Sequence, residues 1–160
     1  MRKYPSTAAF FLASVLVSSC VTADHHARNE ASADLHAAIV AFDRAYATND
    51  VDLYFSFYAT DATVYVGGGE RVDMAACRKM WVELMAAGGG VECNDMSDLE
   101  VQVMPGGEVA IATSFIDNRT RSADGSKMSS RAFETDVWQK IDGQWKIVSL
   151  HYSDATKGDG

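Results

Sequence analysis

The strongest constraint on the fold is a hairpin signal near the end of the chain, in the segment FETDVWQKIDGQWKIVSLHYSD. An Asp-Gly pair between two runs of alternating side chains is typical of a two-residue type I′ turn, which predicts two antiparallel strands joined at Asp142 and Gly143. Such a turn also fixes which residues lie opposite each other. The predicted opposite pairs are Trp138 with Ile147, Asp136 with Ser149, and Glu134 with His151.

The two faces of this predicted hairpin differ in chemistry. One face carries three ionisable side chains, those of Glu134, Asp136 and His151, beside tryptophan rings. Such a mixture is typical of a cavity wall that has a few placed polar groups. The alternative is that Glu134 and His151 form a satisfied buried pair with no chemical role. The other face is almost wholly apolar and comprises Phe133, Thr135, Val137, Ile141, Val148, Leu150 and Tyr152.

The rest of the chain predicts three helices followed by an antiparallel sheet. The helices, marked by apolar side chains at helical spacing, are predicted at residues 35–46, 51–58 and 72–87. The strands, marked by alternation and by turn residues at their ends, are predicted at residues 63–66, 99–103, 109–121, 128–141 and 145–152. This order of elements is that of an α+β domain.

The first twenty residues have the composition of a secretory signal. Arg2 and Lys3 precede an apolar run that is too short to span a bilayer as a stable anchor. The following VSSC resembles a bacterial lipobox, which implies cleavage before Cys20 and a lipid on its thiol; the alternative is ordinary cleavage after the VTA at residues 21–23. Residues 1–19 are therefore predicted as a signal peptide and residues 20–31 as a polar tether. The expected location is the periplasmic face of a bacterial membrane as a lipoprotein, or outside the cell as a secreted protein.

Charge and motifs exclude several classes of function. The net charge of −8 leaves no basic stripe for a nucleic-acid backbone. The glycines at residues 67–69 lack the Lys-Ser/Thr of a phosphate loop, and the sequence has no dinucleotide fingerprint, nucleophile motif or metal-ligand spacing. We therefore expect no cofactor and no metal. Cys77 and Cys93 either form a disulfide, which an oxidising compartment would permit, or remain two small buried thiols.

Two motifs carry a family resemblance. FYATDATVYVGGG, followed by a predicted helix, resembles the opening of SnoaL-like proteins, which belong to the nuclear transport factor two superfamily. ETDVWQKIDGQWKIVSLHYS resembles the last hairpin of the calcium/calmodulin-dependent protein kinase association domain, and the likeness covers about residues 31–153. It implies a cone-shaped roll, also called cystatin-like, in which three N-terminal helices pack on a bent antiparallel sheet and leave a pocket at the wide end. The implied SnoaL-like domain spans residues 32–154, followed by a tail at residues 155–160.

This chain also departs from the kinase association domains. Those domains carry an arginine where this chain has Asp136, and a second basic residue where it has Tyr152. An anionic ligand of the kinase type is therefore disfavoured. Because the superfamily contains both enzymes and non-catalytic modules, the resemblance fixes the fold and leaves the function to the site.

Three functions fit the sequence, and we favour a conical pocket that binds a small, largely apolar molecule. The candidate lining residues are Tyr46, Trp81, Phe115, Trp138 and Ser149. The second function is a cofactor-independent acid–base enzyme, of isomerase, dehydratase or cyclase type, that uses His151 with Glu134 or Asp136. The third is a non-catalytic dimerisation module. A homodimer is expected through the apolar outer face of the hairpin, which would otherwise expose a contiguous patch, and the only expected membrane contact is through the lipid anchor.

Overall fold

The computed structural model describes residues 13–67 and 69–155, with side chains from residue 28 onward. The elements of the described chain are α1 (Ala13–Ala47), α2 (Val51–Ser56), β1 (Tyr58–Val66), β2 (Glu70–Arg71), α3 (Met74–Ala86), β3 (Gly90–Val103), β4 (Val109–Arg121), β5 (Lys127–Ile141) and β6 (Gln144–Asp154). The predicted tether, residues 20–31, lies within α1. Residues 1–12 of the predicted signal peptide and residues 156–160 of the predicted tail lie outside the described residues. None of the helices described is both long enough and apolar enough to cross a membrane.

The six strands form one sheet in the order β2-β1-β6-β5-β4-β3. Neighbouring strands are antiparallel, except that β1 runs parallel to β6. The sheet is bent, and the helices pack on its inner face. The predicted α+β fold, a cone of three helices on a bent sheet, is confirmed. The parallel pairing of β1 with β6 was not predicted.

The apolar stripe of α1 forms the centre of the core. Leu35, Ile39 and Phe42 recur at helical spacing and are buried. They belong to one cluster with Trp138 of β5 and Ile147 of β6, which project from the inner face of the sheet. A fully buried side chain of this size contributes about 2 kcal/mol of transfer free energy, so the stripe holds α1 across the sheet.

A left-handed residue turns the chain between α1 and α2. Asn49 has a φ of 58°, and its side chain ties the turn to the start of β3: Oδ1 accepts from the Val91 N–H at 2.8 Å and Nδ2 donates to the Val91 carbonyl at 2.9 Å. Asp50 then caps α2 by accepting from the Leu53 N–H at 3.1 Å. The aromatic side chains of α2 are thereby brought over the inner face of the sheet.

The turn of the C-terminal hairpin is the one predicted. Asp142 and Gly143 have φ values of 51° and 77°, and a type I′ turn requires positive φ at both central residues. The predicted pairing of Trp138 with Ile147 is also confirmed.

A β-bulge at Val148 then changes the register of the hairpin. Val148 is an extra residue on β6, between the residues that pair with Val137 and Trp138. The pairing of β6 with β1 on its other side is irregular at the same place, so the bulge accommodates both neighbours. Because side chains alternate between faces, one extra residue moves every later side chain of β6 to the opposite face. The observed pairs are Asp136 with Leu150, Thr135 with His151 and Glu134 with Tyr152, and the predicted pairs of Asp136 with Ser149 and Glu134 with His151 are wrong.

The bulge makes the outer face of the hairpin more polar than predicted. Leu150 is buried and Tyr152 lines the interior, although both were predicted on the outer face. Phe133, which is 39% exposed, keeps that face partly apolar. On the outer face of β6, the places predicted for Val148, Leu150 and Tyr152 are occupied by Ser149, His151 and Ser153.

β3 begins at Gly90, whereas the regular alternation starts only at residue 99. Its first half, VECNDMSDL, has no regular alternation of polar and apolar residues and therefore carries no strand pattern. The pairing of β3 with β4 shifts register twice, and Asp98 has a φ of 52° at the second shift. Irregularities of this kind bend a strand. The extended β3 brings Asn94 and Met96 to the interior.

The two cysteines of the domain are free thiols. Cys77 lies in α3 and Cys93 in β3, and both are partly buried. The Cys93 thiol donates to Asp95 Oδ2 at 3.1 Å. The structure therefore has the thiol alternative rather than the disulfide.

Candidate ligand-binding cavity

A cavity of about 570 Å³ lies between the inner face of the sheet and the three helices. Pockets that enclose small organic ligands have volumes of roughly 300–1,000 Å³, so this cavity is of a size that can hold one. Most of its wall is apolar, and it includes Ile39, Phe42, Val64, Met96, Ile116 and Leu150.

The cavity runs along β5 from the surface to the core. Among the inward-facing residues of this strand, Met128 at the mouth is 67% exposed, whereas Asp136 at the inner end is 4% exposed and Trp138 beyond it is 0% exposed. Val66 and Met80 also line the cavity at its exposed end. A ligand would therefore enter past an apolar rim and reach the polar groups of β5 at the inner end.

Two neighbouring carboxyl groups, those of Glu134 and Asp136, form this inner end. Both project inward because they alternate with Thr135, which faces outward. The two side chains are close enough to share a hydrogen bond. Burial raises the pKa of Glu134 to about 7. The pKa of Asp136 is raised well above its usual range, mainly by burial and to a smaller extent by the nearby charge of Glu134. The pair therefore keeps a proton near neutral pH and can donate as well as accept hydrogen bonds.

One oxygen of Asp136, Oδ1, is buried and has no hydrogen-bond partner in the described part of the chain. The indole N–H of Trp138 is near enough to lower the pKa of Asp136, but this is the smallest of the effects on that pKa. This N–H forms no hydrogen bond of ordinary geometry with the carboxyl group or with any other described residue. Because buried polar groups in native proteins nearly always have a partner, Oδ1 of Asp136 marks where a polar group of a ligand would bind.

Three tyrosines bring hydroxyl groups to the same region. The hydroxyls of Tyr54 and Tyr58 are 2.8 Å apart and hydrogen-bond to each other, and Tyr46 lines the wall beside them. Burial raises the pKa of Tyr46 to about 12 and raises those of Tyr54 and Tyr58 well above their usual value of 10. All three hydroxyls therefore stay protonated and neutral over the physiological pH range.

A chain of polar side chains joins α1 to the far side of the cavity. Asn118 of β4 donates to Asn94 Oδ1 at 2.9 Å, and Asn94 donates to Asp43 Oδ1 at 2.6 Å. Burial raises the pKa of Asp43, and the hydrogen bond from Asn94 partly offsets this. No group of three or more His, Cys, Asp or Glu side chains in the described ranges is arranged to hold a metal ion.

His151 lies outside this cavity. It pairs with Thr135 on the outward face of the hairpin and is exposed. The predicted acid–base arrangement of His151 with Glu134 or Asp136 is therefore not formed, because the bulge at Val148 turns the imidazole away from both carboxyl groups. Glu134 and Asp136 lie together without it.

Among the candidate lining residues, Tyr46 is on the cavity wall. Trp81 is buried behind that wall, with its ring 5.0 Å from each of the rings of Tyr46 and Tyr54. Trp138 packs behind Phe42 in the core, with 5.8 Å between ring centroids. The prediction that the two tryptophans line the cavity is therefore wrong, and both support the aromatic side chains that do.

Phe115 and Ser149 do not line the cavity either. Phe115 alternates with inward-facing neighbours on β4, and on the outer face its ring lies 5.3 Å from that of Phe133. Ser149 follows the bulge and therefore faces outward. Cys20 lies in α1, but its side chain is outside the described residues, so its lipidation stays a prediction.

The polar residues of the wall that were not predicted include Tyr54, Tyr58, Asn94 and Tyr152. Tyr54 and Tyr58 are four residues apart in an aromatic-rich segment, and that spacing places two side chains on the same side of a helical turn. It is a signal that could have found them. Asn94 lies in the half of β3 that has no strand pattern, and Tyr152 faces inward only because of the bulge, so neither had a signal in the sequence.

A model of the SnoaL-like domain matches residues 35–157. The chain belongs to the SnoaL-like domain family. No curated protein matches it significantly.

Solved structures show the same fold at low identity. A Caulobacter vibrioides protein with a cystatin-like fold is similar with a TM-score of 0.62 and 14% identity, over 79% of this chain and 91% of its own. The association domain of calcium/calmodulin-dependent protein kinase II from Caenorhabditis elegans has a TM-score of 0.61 and 16% identity, over 79% of this chain and 97% of its own. A Streptomyces avermitilis protein, described as a proposed dehydratase of the nuclear transport factor two-like family, has a TM-score of 0.63 and 16% identity, over 81% of this chain and 99% of its own. These likenesses confirm the fold that the sequence motifs implied.

Proposed function

We propose that the domain binds a small, largely apolar molecule in the cavity between the helices and the sheet. The observation that carries this proposal is an apolar cavity of about 570 Å³ with a buried, unpartnered oxygen of Asp136 at its inner end. Apolar contacts along the wall would supply most of the affinity. The carboxyl pair would fix the orientation of the ligand by hydrogen bonds.

Two adjacent substitutions on β4 test the proposal. Ala112 is buried at the cavity wall opposite Asp136, so Ala112→Leu should fill space that a ligand needs. Thr113 projects from the other face, so Thr113→Leu is the matched control. We expect Ala112→Leu to weaken binding of the uncharged fluorescent dye Nile red by about tenfold or more, and Thr113→Leu to leave it unchanged. Equal binding by the wild type and both variants would contradict the proposal, and near-ultraviolet circular dichroism would verify that the variants are folded.

Native mass spectrometry of protein purified from its own host would identify the bound molecule. We expect an added mass of a few hundred daltons, in keeping with a cavity of this volume. The added mass should be absent from Ala112→Leu and present in Thr113→Leu. Retention of the same mass by Ala112→Leu would mean that the molecule binds elsewhere.

The second candidate function is cofactor-independent acid–base catalysis by the carboxyl pair. It is favoured by the pKa of Glu134, which burial raises to about 7, because a general acid or base works best when its pKa is near the operating pH. The similar protein that is described as a proposed dehydratase adds to this possibility. On this hypothesis Glu134→Gln should lower turnover of the co-purified molecule by about 10² or more, while His151→Gln should not change it. Loss of turnover in His151→Gln would contradict this assignment.

We also propose export with a lipid on Cys20, on the evidence of the VSSC that follows the apolar run. Cys20→Ser should then yield protein that is unprocessed or released from the membrane fraction. Intact-mass measurement of the mature wild type should show a lipidated N-terminal cysteine. A mature N-terminus at Asp24 without lipid would show that the ordinary signal peptidase cuts instead.

We further propose that two copies associate through the outer face of the sheet. The partly exposed Phe133 and its neighbour Phe115, with rings 5.3 Å apart, give that face an apolar centre. The likeness to an association domain supports association in general. Phe133→Glu should produce a monomer by light scattering, with Ala37→Glu, on an exposed position of α1 away from the outer face, as a control for added charge. A wild type that is monomeric at micromolar concentration would contradict the proposal.

A further inference from the structure

The wall of the cavity contains acids without a base. Four carboxyl groups line it, those of Asp43, Glu134, Asp136 and Asp154, and among the described residues no Lys, Arg or His side chain does. Asp136 is 4% exposed, and no described residue forms a hydrogen bond with its Oδ1. A buried carboxyl group is costly to ionise unless a partner of opposite charge is present. The described part of the chain does not supply that partner.

Four basic side chains of β4 and β5 form ion pairs with other carboxylates. Arg131 of β5 forms an ion pair with Asp117. Three others converge on Glu92: Arg119 at 3.4 Å, Arg121 at 3.8 Å and Lys127 at 2.9 Å. These pairs lie outside the cavity wall, so a local rearrangement of side chains does not neutralise the carboxyl pair.

Aromatic rings enclose the same region. Phe42 stacks on Tyr54 with ring centroids 4.7 Å apart, and the ring of Tyr58 lies 5.8 Å from that of Phe42. All three residues line the cavity. The negative face of an aromatic ring attracts cations, and groups of such rings bind organic ammonium ions. Acids and rings together therefore favour a positively charged group.

We propose that the ligand is an organic cation, a protonated amine on an apolar body, whose nitrogen donates a hydrogen bond to Asp136 Oδ1 beside Glu134 and lies among the aromatic rings. This inference rests on the proposed binding function and narrows it to one chemical class. A carboxylate or phosphate ligand would be repelled by the acidic wall. An uncharged ligand would supply no counter-charge to the ionised form of the carboxyl pair.

Binding of such an amine should release a proton. Burial raises the pKa of Glu134 to about 7, so the pair is protonated in the free protein at about pH 6. A bound cation favours the ionised carboxylates and lowers their pKa values. Affinity for the amine should therefore increase from about pH 6 to about pH 8. The other titratable groups that line the cavity are Asp43, Tyr46, Tyr54, Tyr58, Cys77, Tyr152 and Asp154, and none of them becomes positively charged.

Isothermal titration calorimetry with matched probes tests the inference. Naphthylethylamine, naphthylethanol and naphthylacetate share one apolar body and differ in charge. At about pH 8 we expect the amine to bind at least about tenfold more tightly than the alcohol, and the carboxylate not to bind measurably. Titrations of the amine at about pH 6 in two buffers with different ionisation enthalpies should show proton release.

Carboxyl substitutions locate the effect. Glu134→Gln and Asp136→Asn should each remove most of the advantage of the amine over the alcohol. Glu100→Gln, which removes an exposed carboxylate of β3 that does not line the cavity, should leave it unchanged. If Asp136→Asn does not fold, the wild-type probe series and Glu134→Gln carry the test.

The outcomes separate this inference from the binding function itself. Equal or tighter binding of the alcohol, or proton uptake with the amine, would overturn the cationic ligand and leave an apolar binding site. An advantage of the amine that persists in Glu134→Gln and Asp136→Asn would place the cation elsewhere and overturn the inference too. Failure of all three probes to bind would overturn the binding function together with the inference.

Discussion

Replacing Glu134 by Gln should make the stability of the fold less dependent on pH. In the wild type, burial raises the pKa of Glu134 from 4.5 to about 7. A group whose pKa is higher in the folded state stabilises the fold fully below its unfolded pKa, and this contribution is lost as the pH rises through the folded value. We therefore expect the wild type to lose stability as the pH rises from about 4.5 through about 7.

The size of the loss follows from the two pKa values. They differ by about 2.5, and one pKa unit corresponds to about 1.4 kcal/mol, so Glu134 alone accounts for a loss of up to about 3 kcal/mol. Asp136 acts in the same direction because its pKa is also raised. Gln has nearly the same shape and no charge to bury, which removes the contribution of Glu134. Glu92 and Asp124 have lowered pKa values and therefore titrate below this pH range.

Urea unfolding at about pH 5, 6, 7 and 8 measures the effect. The free energy of unfolding of the wild type should fall across this range by about 3 kcal/mol, and that of Glu134→Gln should fall clearly less. Glu100→Gln, in which an exposed carboxylate is lost, should follow the wild type. A wild type that is as stable at about pH 8 as at about pH 5, or a Glu134→Gln variant that falls as steeply, would refute the reasoning.

Three further changes test the packing around the cavity. Deletion of Val148 should remove the bulge and leave Leu150 opposite Asp136 on the inner face, so we expect the cooperative unfolding transition by circular dichroism to be retained; loss of that transition would contradict the register. Tyr58→Phe removes the hydrogen bond to Tyr54 and should lower the free energy of unfolding by about 1 kcal/mol, and no measurable change would show that this bond is not formed. Phe42→Ala should cost about 3–5 kcal/mol in urea unfolding, whereas a cost below about 1 kcal/mol would mean that the aromatic cluster is loosely packed.

The fold could be predicted because its strongest signals are local. The turn at Asp142 and Gly143 is specified by residue types that tolerate positive φ, and the apolar stripe from Leu35 to Phe42 is specified by helical spacing. These signals, with the alternation along β4 and β5, are sufficient for helices on a meander of strands. The polar half of β3 had no such signal, and its pairing with β4 forms the strand regardless of composition.

The site could be predicted only in part because it depends on a feature that is not local. Glu134 and Asp136 were found because they stand among apolar residues on β5. Tyr152, which lies opposite Glu134, was not found. Its inward orientation depends on the bulge at Val148, which allows β6 to pair with both β5 and β1, and β1 lies far away in the sequence. No glycine or proline marks this position. Because of this one extra residue, Tyr152 rather than the predicted His151 lies on the cavity wall.

The most direct test of the cavity as a binding site is an NMR measurement of contacts between bound naphthylethylamine and methyl-labelled protein. We expect intermolecular nuclear Overhauser effects to the methyl groups of Met96, Ile116 and Leu150, which line the cavity on three different strands. We expect none to Val137, whose position on β5 alternates with the inward-facing Asp136 and Trp138 and so faces outward. Contacts confined to Val137 and its neighbours, or the absence of contacts at saturating probe, would contradict the assignment of the cavity as the binding site.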